Sequence, residues 1–232
     1  MGMRMPWLQR FLRRSSTRHR RQECRPSAHG RASGRRRVSF SPRRLESTFD
    51  AADMRLFHFS EDGQIDQFTP RSVRQPALRK PGQEWLNSPL VWAIDADHQR
   101  LYLFPRECPR IVVWAHSASS HDDRMAWMGD LPCGVQAVAF IERAWVDRHR
   151  SGSIFRYEFP VHSFECIEDA GMFVSRSVVR PLGCERIANL PHALKDSHTE
   201  LRVVDSLLPL RGVWNSTLHA SGIRLRNASG WA

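Results

Sequence analysis

The chain has 232 residues, 41% of them hydrophobic, and a formal charge of +11, which allows one sizeable core or at most two small ones. The charge is not spread: residues 1–53 hold 14 arginines, no lysine and four acidic residues, net +10, leaving 21 basic and 20 acidic residues, net +1, in 54–232. A near-neutral body with no recognised reading motif argues against sequence-specific nucleic-acid binding, and no apolar run approaches the ~20 residues that span a bilayer.

Arginine outnumbers lysine 33 to 2 over the whole chain. A bias that uniform fits the codon composition of a GC-rich bacterial genome better than selection for phosphate binding, although an arginine fork suits phosphate wherever it clusters. The five cysteines, Cys24, Cys108, Cys133, Cys166 and Cys184, are too irregularly spaced for a zinc-ligand series. Their odd number, without a secretory signal, points to reduced thiols and a cytoplasmic location.

At the N-terminus, Trp7, Leu8, Phe11 and Leu12 share a helical face among arginines, which allows a short basic amphipathic turn. Residues 13–44 are Arg, Ser, Gly and Pro with almost nothing apolar; they bury too little to offset the entropy of ordering and are expected to be disordered. Three readings compete for this segment: a nucleic-acid-binding arm, an organellar transit-like peptide, or an upstream extension of a frame whose translation starts at Met54. The last is favoured because "MRLFHF" opens a β-type apolar run directly after a methionine.

From Met54 onward the texture is that of one domain, 54–232. Branched and aromatic runs predict strands at "RLFHF", Leu90 to Ile94, Ile111 to Trp114, Val135 to Ile141 and Ile154 to Phe159, then at "MFVS", "VVRPL", "ELRVV" and within "STLHASGIRLR". Prolines at 70, 76, 81 and 89 make the stretch between the first two a long loop. Asp97 to Phe104, "IERAWVDRHR" and "ERIANLPHALK" predict helices, the last kinked or split at Pro191. Strands outnumber helices without alternating with them. The expected class is α+β: a single compact domain with a mostly antiparallel or mixed sheet and a few short helices.

Four stretches carry candidate chemistry. In "LFHFSE", His58 and Ser60 project from one strand face and suit a ligand wall beside a sheet edge, or a satisfied structural histidine. In "LYLFPRECPR", Arg106 and Arg110 sit on a proline-fixed turn that can present forked donors to phosphate or carboxylate, unless Glu107 pairs with one of them. His116, His121, Asp122 and Asp123 match no metal-binding spacing, and Asp122 is the expected cap of the helix that follows. Glu165, Glu168 and Asp169 precede a turn at Gly171; a carboxylate before a strand serves as a general base or ribose-hydroxyl binder, or simply decorates the turn. No glycine-rich phosphate loop, serine elbow or HExxH helix occurs. No catalytic residue or metal ligand is assigned.

Together "MRLFHFSEDGQIDQFTPR", "PLVWAIDADHQRLYLFPRECPR", "GMFVSRSVVRP" and "STLHASGIRLRN" resemble an uncharacterised bacterial family, domain-of-unknown-function family 6886, over roughly residues 54–228. A fainter resemblance is to ADP-ribosyltransferase-like domains. There His58 and Ser60 match an early strand, "IDQFTPR" an "I..F.P" stretch, "VWAIDADHQRLY" a strand before a short helix, and "MFVSRSVVRP" a late strand. In that family a catalytic glutamate precedes the late strand; here its place falls on Gly171 or Met172, with Glu168 and Asp169 earlier. The resemblance implies an anionic small molecule or nucleotide such as NAD, bound near His58, Ser60, Tyr102, Arg106, Arg110 and Asp169. The alternative is a non-catalytic soluble domain with no small-molecule ligand.

Overall fold

The structure, a computed structural model, describes residues 54–73, 79, 81–167 and 170–231. The amphipathic turn and disordered segment expected of residues 1–53 lie outside the described residues, as does Asp169.

Among the described residues ten strands form two sheets. The larger has the order β6-β7-β2-β1-β5-β8 and is antiparallel throughout; the smaller has the order β10-β3-β4-β9 and is antiparallel except for the parallel pair β4–β9. In chain order the strands are β1 Leu56–Ser60, β2 Val91–Asp95, β3 Arg110–Trp114, β4 Ala137–Glu142, β5 Ile154–Phe159, β6 Glu165–Cys166, β7 Met172–Ser175, β8 Gly183–Ile187, β9 Thr199–Val204 and β10 His219–Ile223. The described residues also hold three short α-helices, α1 His121–Trp127, α2 Val146–Ser151 and α3 Leu190–Asp196, and several 3₁₀ turns. The chain is an α+β domain.

Alternation along the strands sorts the side chains into layers. Phe57, Phe59 and Ile94 of the larger sheet pack into one cluster with Val112, Trp114, Ala137, Ala139 and Ile141 of the smaller, joined by Leu190 and Leu194 of α3. The opposite face of the larger sheet, with Leu56, Val91, Tyr157 and Phe159, is covered by Phe68 and Val179, whose backbones bridge at 2.8 and 2.9 Å. The far face of the smaller sheet is covered by Leu207, Val213 and Leu218. Both faces of β1 are thus buried, and β1 lies between β2 and β5. It is a central strand, not the edge-adjacent wall expected of it.

Four expected elements differ: Asp97 to Phe104 holds only a 3₁₀ turn, Gln99–Tyr102, and "IERAWVDRHR" opens on the last two residues of β4 before α2. "ERIANLPHALK" is not a kinked helix: Gly183–Ile187 is the edge strand β8, and α3 starts at Leu190 with Pro191 in its first turn, where a missing N–H costs nothing. Asn189 caps it, accepting from the His192 amide at 3.0 Å. "VVRPL" forms no strand; Val179 bridges Phe68 and the Leu182 amide donates to the Glu158 carbonyl at 2.8 Å. In α1 the cap is Ser120, which accepts from the Asp123 amide, and not Asp122.

Candidate functional site

The pairing of β1 with β2 covers only Leu56–Asp95 and Phe57–Ile94, whereas β1 stays paired with β5 along its whole length, through Ser60–Phe155. Carried on, the β1–β2 register would set Phe59 opposite Trp92. Instead the strands part. Into the gap comes the imidazole of His58, whose Nδ1 lies 2.9 Å from the Trp92 carbonyl oxygen. A carbonyl only accepts, so Nδ1 carries the proton and Nε2 keeps its lone pair.

The parted strands bound a cleft of about 60 Å³ lined by Phe57, His58, Phe59, Trp92, Tyr102 and Met172, with the Ala93 and Ile94 stretch of β2. Tyr102 lies nearly parallel to Phe59, centroids 5.9 Å apart, and its hydroxyl reaches the Met172 sulfur at 3.6 Å. His58 is wedged against Phe68 and Phe159, at 4.8 and 5.9 Å. Burial lowers its pKa below the usual histidine value and the nearby charge of Arg106 lowers it further, while the Trp92 carbonyl acts in the other direction. The imidazole is neutral at pH 7.

The structure brings His58, Tyr102 and Arg106 to one side of the domain. Arg106 is exposed; its amide donates to Glu61 Oε1 at 3.0 Å and its carbonyl accepts from Arg224 Nε at 3.2 Å. The turn is clamped, and the guanidinium projects from it. Glu107 is held by Asn227, Arg224 and Arg226, which keep its carboxyl below the usual range, the Asn227 bond most of all. It therefore pairs with distant arginines and with neither Arg106 nor Arg110. Ser60 is buried and accepts from the Asp62 amide at 3.1 Å.

Arg110 points elsewhere. Its guanidinium is buried, donates to the carbonyls of Leu101 at 2.8 Å and Cys108 at 3.0 Å, and lies 5.1 Å from the Phe104 ring. Burial lowers its pKa to about 10, so the charge persists at neutral pH. The two arginines of the turn do not form one fork: one is on the surface, and the other is a bolt through the core. Burial likewise pushes the Cys108 thiol up to about 12. His116 and Asp123 both serve Thr217, through its carbonyl at 2.8 Å and its amide and hydroxyl at 2.7 and 2.6 Å.

One pair escapes the sequence reading. Asp95 Oδ1 accepts from both the amide and the Nδ1 of His98, each at 2.8 Å. The signal was an aspartate at the end of a strand three residues before a histidine, the pattern with which a turn begins. Gly171 crosses this pair, its carbonyl accepting from the Asp95 amide at 2.9 Å.

Three of the four segments that carry the fainter resemblance include the adjacent strands β7, β2 and β1, while "IDQFTPR" lies outside the strands. No curated protein and no solved structure matches the chain, so the likeness to ADP-ribosyltransferase-like domains rests on those residues alone. No helix among the described residues is long and apolar enough to cross a membrane. The model of a family of unknown function, DUF6886, matches residues 57–228, nearly the whole described domain, and the chain belongs to that family.

Proposed function

We propose that the cleft between β1 and β2 binds an anionic small molecule, a nucleotide of the NAD or ADP-ribose kind, with Arg106 supplying charge to a phosphate at its rim. The parting of β1 from β2 beside a buried neutral imidazole carries this reading. A central strand gives up ladder hydrogen bonds only where something else satisfies its backbone, and here a side chain does so while aromatic rings wall the gap. At about 60 Å³ the cleft has room for the edge of one flat ring, about two waters' worth of space; the rest of a dinucleotide would lie across the surface toward Arg106.

In this reading His58 is part of the cleft floor, and Tyr102 and Phe59 form a stacking wall. Ser60 stabilises the turn beyond β1, and Arg110 fixes the strand that carries the arginine turn. Asp169, on the residues before β7, remains a candidate for the ribose. Cys108, Cys133 and Cys184, which form no disulfide among the described residues, suit a reduced bacterial cytoplasm. Specific nucleic-acid binding is not expected of the near-neutral domain 54–232, and a chain starting at Met54 should still unfold cooperatively.

A domain with no ligand is favoured by one observation: His58 and Arg110 both already have structural partners. Thermal melts of the full chain with NAD, ADP-ribose and nucleoside phosphates separate the two. Ligand at a hundred times Kd should add about 2.7 kcal/mol to stability, and Arg106→Ala should remove the shift without altering the unliganded melt. No shift with any of these ligands supports the ligand-free domain.

A further inference from the structure

Ile94 and Met172 line the cleft, and the next residues along those strands, Asp95 and Gly171, meet at the Asp95–His98 pair. Both side chains of the pair are 24% exposed, so it is open to solvent one residue beyond the Ile94–Met172 pair that lines the cleft. Asp95 accepts from Nδ1 of His98, which fixes the tautomer of the neutral ring and in that form leaves Nε2 an acceptor. Among the described residues no hydrogen-bond partner reaches that nitrogen. The ring is steadied edge-on against Trp114, centroids 5.8 Å apart.

The backbone makes room for this arrangement. Ala170 and Gly171 both adopt positive φ, 46° and 72°, and a Cβ at Gly171 would collide with the His98 Nδ1 and the Asp95 carboxylate. A turn that only needed capping would use the Asp95–His98 amide bond and no imidazole. Arg100, buried in the same turn, has an Nε without a hydrogen-bond partner and places positive charge near Asp95.

We propose that the Asp95–His98 pair is the hydroxyl-recognition end of the site, His98 Nε2 accepting a hydrogen bond from a sugar hydroxyl of the ligand whose ring enters the cleft, an assignment that rests on nucleotide binding there. His98 is then a binding residue and Asp95 a positioning residue. It places a carboxylate-backed acceptor beside Gly171, where the late strand itself brings no acidic side chain.

The test is isothermal titration of the full chain with ADP-ribose, and with nicotinamide as a ring that carries no sugar. His98→Phe keeps a ring against Trp114 and removes Nε2; it should weaken ADP-ribose about tenfold and leave nicotinamide unchanged. Asp95→Asn lets the imidazole turn an N–H outward and should weaken ADP-ribose to a similar degree. Unchanged ADP-ribose affinity in His98→Phe, with Arg106→Ala still weakening it, would overturn the role of the pair and leave the cleft reading intact. Equal loss of nicotinamide, or loss of cooperative melting in both variants, would make the pair structural and overturn the proposal. Absence of ADP-ribose binding by the unaltered chain would overturn the cleft reading and this one with it.

Discussion

The pairs β3–β4 and β1–β2 are built from similar residues and end differently. β3 and β4 hold register from Arg110–Ile141 to Trp114–Ala137 with every residue buried, so the ladder satisfies its own backbone and the side chains only pack. β1 and β2 hold two pairs and separate, and the loss is made up by an imidazole on the Trp92 carbonyl. Where the ladder is complete the polar side chains nearby are bolts, such as Arg110 and Glu142. Where it is broken they border open space. A continuous sheet stabilises, and an interrupted one leaves groups free to meet a ligand.

The largest expected effect is on the unbroken side. Glu142, at the end of β4 and 5% exposed, accepts from the amides of Leu207 at 3.2 Å and Ser229 at 3.0 Å. Glu142→Ala strands both donors, and by the usual cost of unsatisfied buried groups it should remove about 2–5 kcal/mol in urea unfolding. A loss below about 1 kcal/mol would mean water replaces the carboxylate there.

On the broken side the sharper lever is pH. Burial lowers the pKa of His58, and also that of His149 behind Leu103. The unfolded chain takes up protons near pH 6.5 while the folded chain does not. Stability therefore holds above about 6.5 and falls as pH drops from there toward the lower folded values. His58→Gln should flatten part of that fall; an unaltered slope would place the titration entirely at His149. The depressed carboxyls of Glu107 and Glu158 titrate below the ordinary carboxylate range, so they do not confuse this window.

The smallest effect tests the surface. Arg55 and Glu158 make a two-pronged pair at 2.9 and 2.7 Å, but Arg55 is 54% exposed, and Arg55→Ala should cost less than about 1 kcal/mol. A larger loss would show that the start of β1, at its paired end, is under more tension than its contacts indicate.

Most strands were legible because branched and aromatic runs announce themselves: "LFHF", "VWAI", "IVVW" and "IFRYEF" all lie in strands. β8 was not, since Gly183, Cys184, Glu185 and Arg186 are exposed, so no buried face imposes alternation, and Glu185 and Ile187 joined instead to the helical pattern after them. For the site, the residue types were readable and the directions were not. Nothing local in "FPRECPR" tells that Arg106 turns outward while Arg110 turns into the core, because the difference is made by the carbonyls of Leu101 and Cys108. Nor does any local signal mark where β1 leaves β2, since both strands keep their propensity past the break.

The central claim is that the β1–β2 break receives a ligand and the β3–β4 ladder does not. Hydrogen–deuterium exchange of the full chain with and without saturating ADP-ribose compares the two directly. Slower exchange is expected at the amides of residues 58–60 and 91–93, with no change across 111–113 and 137–141. Protection confined to the second set, or none in the first while ligand is demonstrably bound, would contradict the account.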